Sequence, residues 1–265
     1  MIRSVTNARV KDVVRLRQQP AYRRESGSFC VERPRELRRA LDAAFDLAEI
    51  FVCPPLIDDP TLIERAAVGG APVTEVTEPV LNKMSYRDQL SGFVAVLKAR
   101  ISAPADVTLE PPALVVVAGG VEKPGNIGAI LRSADAAGAS AVCLDAPDAD
   151  VFNPNAVRAS TGAVFSTTIV CDTPEALVAW LRTNAIHIAA AAPDAQRDYA
   201  SVDLRRPCAI VLGAEDVGLG QFWHNAADVT LRVPMRGAVD SLNVSVTAAL
   251  LLFEAVRQRA DHRSS

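Results

Sequence analysis

Apolar positions in the first hundred residues fall in short, interrupted groups. Residues 8–18 (ARVKDVVRLRQ) and 34–47 (PRELRRALDAAFDL) space them as helices do, which predicts two amphipathic helices. IFVCP (50–54) and LSGFVAVLK (90–98) are short apolar runs that predict strands. ISAPADVTLEPP (101–112) holds three prolines and little periodicity, so a linker is expected there. After Pro112 the pattern changes to strand and helix in alternation. ALVVVAGG (113–120) is continuously apolar, as a strand buried on both faces must be. NIGAILRSADAAGA then sets Ile127, Ile130, Leu131, Ala134 and Gly138 at helical spacing, and SAVCLD (140–145) returns to strand. NPNAVRASTGAVF (153–165) predicts a helix capped by Asn153 with Pro154 in its first turn. TTIV, PEALVAWLRTN and HIAAAA repeat the alternation. CAIVLG (208–213) and VTLRVP (229–234) each empty into a glycine-bearing loop, and VSVTAALLLFEAV reads as a buried helix.

Strands alternating with helices predict an α/β fold, a mostly parallel sheet covered on both faces. Ligands of such sheets sit beyond the carboxyl ends of the strands. The expected organisation is a small N-terminal domain (1–100), a linker (101–112) and a larger domain (113–265).

Composition adds exclusions. The longest apolar runs fall well short of the roughly 20 residues that a membrane span needs. MIRSVTNARVKDVVRLRQQ has no apolar core of the secretory kind, so a cytoplasmic protein without a membrane partner is expected. Five cysteines lie far apart with no CxxC pair and no neighbouring histidine, which argues against a metal site or a disulfide framework. The net charge of −3 hides an asymmetry: residues 1–40 hold 11 Lys/Arg against 4 Asp/Glu, leaving 17 against 27 for the rest. A basic segment on an acidic body is how proteins commonly meet a polyanion, although a solvated helical face has the same composition.

Several chemistries are poorly supplied. GxGxxG is absent, since Gly119, Gly120, Gly125 and Gly128 have the wrong spacing, and the phosphate loop GxxxxGK[ST] is absent too. That weakens the alternative of a dinucleotide-binding enzyme acting on a small molecule. With His187 at the head of an apolar strand, His224 expected on an exposed loop and His262 in the tail, a hydrolytic triad finds no base.

Three segments remain: NIGAILR (126–132), GAEDVGLG (213–220) and VPMRGAVDSLNVS (233–245). Each follows a strand of the expected parallel sheet, so all three should emerge at one edge. Asp240, Ser241 and Asn243 crowd the mouth of an apolar helix. Capping needs one such residue, so the others are free to face a ligand. Arg132 lies off the apolar stripe of its helix and, by itself, reads as a solvated cation. Asn126 reads equally as a cap or a contact residue, and Glu215 as a carboxylate near helix amides or as an orienting group.

Together these segments resemble the three signature motifs of the SpoU-type (TrmH-like) RNA ribose 2′-O-methyltransferases of the SPOUT superfamily. Asn126, Gly128 and Arg132 meet N-x-G-x-x-x-R; Gly213, Glu215, Gly218 and Leu219 meet G-x-E-x-x-G-L. Val233 through Ser245 meet [IV]-P-M-x-G-x-x-x-S-L-N-V-S without exception. SVTNARVKDVVRLR and SGSFCVERPRELRRAL resemble, more loosely, the substrate-binding domain that precedes the catalytic domain in many members and is similar to a small ribosomal protein. Arg33 departs from the glycine common there.

The resemblance implies a C-terminal trefoil knot, which base rates for chain threading would not predict. It also implies S-adenosylmethionine as cofactor, RNA as partner (ribosomal rather than transfer RNA, given the extra domain) and a homodimer. A non-catalytic RNA-binding protein of the same fold is the rival reading. Asn126, Arg132, Glu215, Ser241 and Asn243 are then the expected catalytic residues. Leu212, Gly213, Val233, Met235, Ser241 and Leu242 are the expected cofactor contacts. A guanidinium hardly releases its proton, so Arg132 suits phosphate gripping and alkoxide stabilisation better than base catalysis. Arg9, Lys11, Arg15 and Arg17, spaced to lie partly together on one helical face, and Arg158 are the expected RNA contacts; surface exposure alone would also account for Arg158.

Overall fold

The computed structural model describes residues 1–86, 90–214 and 218–263, which pack as two compact units: Met1–Arg100 with Asp150–Ser166, and Ile101–Ala149 with Thr167–Ser265. The first unit opens with α1 (Ala8–Gln18), started by Asn7, whose side chain accepts from the Arg9 N–H at 3.0 Å. There follow α2 (Pro20–Ser26), β1 (Ser28–Val31), α3 (Pro34–Asp42), β2 (Leu47–Val52), α4 (Pro60–Val68), β3 (Val73–Glu75), α5 (Glu78–Met84) and β4 (Phe93–Lys98). The sheet runs β1-β4-β2-β3, with β4 antiparallel to both neighbours and β3 parallel to β2. Val10 and Val13 of α1 join Phe51, Val80, Leu81 and Val94 in the core beneath it. The helix expected over 34–47 ends at Asp42, because Ala44 takes a left-handed φ of 50° and Leu47 already begins β2. Arg33, in the position often held by glycine, has an extended backbone (φ −116°, ψ 141°) that any residue adopts.

The second unit begins with β5 (Leu114–Ala118), α6 (Pro124–Ala136) and β6 (Ala141–Leu144). Residues Asp150–Ser166 then belong to the first unit. There the single helix expected over 153–165 is two, α7 (Pro154–Ala159) and α8 (Ala163–Ser166). Thr161 (φ 52°) and Gly162 (φ 104°) break it. A Cβ on Gly162 would stand 2.8 Å from the Cγ of Arg39, so this turn packs too closely for a side chain. Asn153 caps α7 as expected, accepting from the Asn155 N–H at 3.0 Å. Phe152 stacks on Phe29 with centroids 4.4 Å apart, and Phe165 meets Phe45 edge-on at 5.1 Å.

From Thr167 the second unit continues through β7 (Ile169–Cys171), α9 (Pro174–Thr183), β8 (His187–Ala191), β9 (Arg197–Asp198) and β10 (Cys208–Leu212). It ends with α10 (Gln221–Ala226), β11 (Val229–Arg232) and α11 (Val244–Arg263). The sheet order is β7-β6-β5-β10-β8-β11-β9, and every neighbouring pair is parallel. Every residue of β5 and of β10 is buried, which is why both segments are continuously apolar. The proline-bearing segment 101–112 lies on this unit: Ser102 bridges to Val170, and Val107 and Leu109 pack against the core. Helix α11 is not buried all round as its sequence reads. Ala248, Leu251, Leu252 and Ala255 are buried, while Val246, Leu250 and Phe253 are 47%, 38% and 49% exposed.

Arg23 fastens Asp150 into the first unit. Its guanidinium is 4% exposed, donates Nε to Asp150 Oδ1 at 2.8 Å and Nη2 to Oδ2, and reaches the carbonyls of Leu16 and Arg17. Breaking such a buried pair from one side leaves the other charge uncompensated. Arg23→Leu is expected to cost about 3 kcal/mol in urea unfolding, and Arg23→Met combined with Asp150→Leu to recover most of it.

Candidate active site

Because the sheet is parallel, the ends of β5, β8, β10 and β11 open at one edge. The chain leaves β5 toward β6 on one side, while β10 is inserted on the other, so a switch point lies between β5 and β10. β10 ends at Leu212 and must turn at once. A Cβ on Gly213 would lie 2.4 Å from the backbone of Gly218 and Leu219, so no larger residue fits. Gly218 takes a φ of +68°, and its N–H donates to the Ala214 carbonyl at 2.9 Å. Glu215, between these two glycines, lies outside the described residues.

A cleft of about 700 Å³, open mouth included, occupies this edge. Leu212, Gly213, Val233, Met235, Ser241 and Leu242 all line it. Asp240 and Thr247 add polar groups, and Leu219 and Leu231 add apolar wall.

At the mouth of α11, Asn243 does two things with one amide. Its Oδ1 accepts from the Ser245 N–H at 3.0 Å and the Ser245 hydroxyl at 2.6 Å, which caps the helix. Its Nδ2 donates to Asn126 Oδ1 at 3.2 Å, tying α11 to the first turn of α6 across 117 residues of chain. Ser241 is exposed along the cleft. Arg132 stands six residues beyond Asn126 on α6, its side chain exposed.

Two positioning residues escape a reading of periodicity. Asp145, at the end of β6, accepts from the Gly120 N–H at 2.7 Å and from Trp223 Nε1 at 2.9 Å. It thereby joins the loop leading to Asn126 to α10, which follows the Gly213–Gly220 stretch. Gly119 donates its N–H to the Leu212 carbonyl at 2.8 Å, and a Cβ there would press within 3.1 Å of the Trp223 ring. The strand-ending carboxylate of SAVCLD was the available signal, but nothing along the chain named its partners. His224 is half-buried on α10 and not on an exposed loop. His187 opens β8 as expected, with Nδ1 3.3 Å from Asp228. Burial pushes the thiols of Cys30 and Cys171 up to about 12 and that of Cys208 to about 11, which leaves no thiolate for nucleophilic work at neutral pH. Among the described residues, no three His, Cys, Asp or Glu side chains group as metal ligands, and no helix is long and apolar enough to cross a membrane.

The basic residues of the first unit do not act as one set. On α1, Lys11 and Arg15 are four apart and share a face, whereas Arg9 and Arg17 fall elsewhere. Arg9 pairs with Glu49, donates to Thr74 at 2.7 Å and lies over the Phe51 ring. Arg17 donates to the carbonyls of Lys83 and Ser85. Lys11 is exposed, and Arg15 is stacked 3.7 Å over the Tyr22 ring while staying half exposed. Arg158 is half-buried and donates to Asn155 at 2.9 Å.

A cleft beyond the ends of β8, β10 and β11 of an all-parallel sheet, with one wall turned by Gly213 and Gly218, is where an α/β enzyme takes a small ligand, at the carboxyl edge. The chain belongs to the SpoU rRNA Methylase family, whose model matches residues 113–253. Residues 7–95 match the MRM3-like substrate binding domain. The chain is 35% identical over 205 residues to the 23S rRNA (guanosine-2′-O-)-methyltransferase RlmB of Bordetella pertussis, covering 75% of this chain and 83% of that one. It is similar to a crystal structure of an RNA 2′-O ribose methyltransferase, with TM-score 0.82, 40% identity and coverage of 98% and 99% of the two chains. It is also similar to the AdoMet-bound rRNA methyltransferase from Sinorhizobium meliloti, with TM-score 0.88, 31% identity and 97% of each chain covered.

Gly213→Ala is expected to destabilise the protein by about 2 kcal/mol or more, since the new methyl group meets backbone rather than a yielding side chain. Gly237→Ala, where a Cβ meets nothing within 4 Å, is expected to leave the melting temperature unchanged. Thermal denaturation of the two variants side by side checks the contrast.

Proposed function

We propose that this chain transfers the methyl group of S-adenosylmethionine to a ribose 2′-hydroxyl of 23S ribosomal RNA. The observation that carries the reading is the convergence of Asn126, Gly213, Ser241 and Asn243 at one sheet edge, in a chain whose relatives are named as rRNA 2′-O-methyltransferases.

The chemistry of the cleft fits that cofactor. Leu212, Leu231, Met235 and Leu242 offer apolar surface to a purine, and the Asp240 carboxylate with the Ser241 and Thr247 hydroxyls offers acceptors to a cationic, hydroxyl-bearing chain. A pyrophosphate cofactor would need cations, and the guanidinium of Arg232 at this cleft is instead bonded to Asp198 at 2.9 Å. When bound, S-adenosylmethionine supplies an electrophilic methyl carbon. The protein's part is to hold the 2′-oxygen in line, about 3 Å away, and to favour its developing charge. Arg132 grips an RNA phosphate and stabilises the alkoxide, a role open to a group that keeps its proton. Asn126 and Asn243 hold each other, so the amide pair is preorganised, and Ser241 orients the ribose or the cofactor. Glu215 orients Asn126 or Arg132.

In the same reading, residues 1–100 bind the RNA substrate, 101–112 link, and 113–265 catalyse with a trefoil-knotted C-terminal part, in the cytoplasm. Lys11, exposed on α1, carries the phosphate contacts together with Arg15 and Arg158, whose own protein partners are Asp12 and Asn155; Arg9 and Arg17 bond Glu49, Lys83 and Ser85. The enzyme works as a homodimer that covers Val246, Leu250 and Phe253. Three exposed apolar side chains at positions i, i+4 and i+7 of one helix support this, because such a stripe is costly to leave in water.

Arg132→Ala is expected to slow methylation of 23S rRNA at least about 100-fold with S-adenosylmethionine affinity unchanged, checked by tritium transfer and calorimetry. Asn243→Ala should lose about 1 kcal/mol of stability as a missing cap. Its turnover should fall well beyond that, and a change confined to melting temperature would reduce Asn243 to a cap. Leu250→Glu should convert a dimer to a monomer in light scattering.

A further inference from the structure

Glu36 lies in the first turn of α3, 5% exposed. Among the described residues no hydrogen bond or ion pair reaches its carboxylate. Burial pushes its pKa up to about 7, although Arg33 and Arg158 pull the other way. Its oxygens are not sealed off: among the described residues the enclosed side-chain oxygen without a partner is Thr167 Oγ1, so the Glu36 carboxylate meets the solvent of its cleft, where a water or a ligand supplies hydrogens. Its neighbour Glu32 is different, for it accepts the Tyr86 backbone N–H at 2.7 Å.

Glu36 lines a cleft wholly within the first unit, together with Arg33, Tyr86, Val157 and Arg158. The enclosed space is about that of a water molecule, so a ligand meets the Glu36 carboxylate from the mouth of the cleft. Tyr86 stands there, 40% exposed, its backbone fixed by Glu32 and its hydroxyl accepting from Asn155 Nδ2 at 3.1 Å. An anchored, exposed aromatic ring is the surface on which an unpaired RNA base stacks. Arg33 and Arg158 supply the positive charge that a phosphate-bearing ligand needs.

We propose that this cleft reads the Watson–Crick edge of one unpaired guanine of the RNA substrate, Glu36 accepting from N1–H and the 2-amino group while Tyr86 stacks on the ring. Once ionised, the carboxyl presents two adjacent acceptors and no donor, so binding is to be measured near pH 8, above the value of about 7 to which burial raises Glu36. Guanine is the RNA base with two adjacent donors on that edge; adenine and cytosine set one donor beside an acceptor, and uracil sets one between two. The inference rests on the RNA methyltransferase reading and adds a base preference located away from the cofactor cleft.

The test uses the full-length protein and fluorescence anisotropy with labelled pentamers UUGUU and UUAUU. Two further pentamers carry inosine, which lacks the 2-amino group, or 1-methylguanosine, which lacks N1–H. Wild type is expected to bind UUGUU at least about tenfold more tightly than the other three. Glu36→Gln is expected to erase that preference while keeping its affinity for UUAUU and its melting temperature. Equal affinity of wild type for all four, or no binding of any, overturns the proposal and leaves Glu36 satisfied by water. Retention of the preference by Glu36→Gln overturns it too. The ligand series needs no variant, so a folding defect does not decide the outcome. Calorimetry with S-adenosylmethionine and methylation of 23S rRNA by the same preparation separate the two readings. Both positive with a flat pentamer series removes the guanine cleft alone, whereas a guanine preference without cofactor binding removes the methyltransferase reading.

Discussion

Parallel strand direction is the constraint from which the rest of the second unit follows. In an antiparallel sheet, the loops after β5, β10 and β11 would be divided between two edges. Here every pairing is parallel, so Asn126, Gly213 and Ser241 start from the same side although the chain between them is long. The cost is that each return must cross the sheet through a connection, and the central strands become buried on both faces. That accounts for the unbroken apolar runs of β5 and β10 and for the polar, glycine-bearing segments that follow them.

Within that frame, close backbone approach does what side chains do elsewhere. Gly213 turns against Gly218 at a distance that excludes even a methyl group, and Gly119 slides under Trp223 beside the Leu212 carbonyl. Asp145 then ties the loop at Gly120 to α10 by accepting from both Gly120 and Trp223. The Asn126–Asn243 bond repeats the device between helices α6 and α11. Capping does not exhaust Asn243: its oxygen caps α11 and its nitrogen reaches Asn126, because an amide has an acceptor and a donor on opposite arms.

Charge is distributed by the same economy. The basic N-terminal segment is not a uniform electrostatic surface, since Arg9, Arg17 and Arg23 spend their guanidiniums on protein acceptors. Arg23 in particular holds Asp150, and with it the segment carrying Arg158, within the first unit. Lys11 and Arg15 share one exposed helical face, where Arg15 stacks on Tyr22 and stands 3.8 Å from Asp12. A residue count cannot distinguish a cation that packs against protein acceptors from one that stays in solvent.

Local pattern determined a good deal of this protein. The strand and helix alternation after Pro112 was legible because burial on both faces demands continuous apolar runs, and each predicted strand there has its counterpart from β5 to β11. The three polar segments were legible as a group because parallel strands send their followers to one edge. Short elements such as β1, β3 and β9 were not, since two to four residues carry too little periodicity to separate strand from loop. The helix over 153–165 was overextended because a left-handed Thr161 leaves no mark in composition. Only the tertiary structure decided that Asn243 meets Asn126, that Asp145 meets Trp223, and that Glu36 lines one cleft with Tyr86 and Arg158. Those are contacts between residues distant in the chain, fixed by which faces the sheet and helices bring together, and no local spacing encodes them.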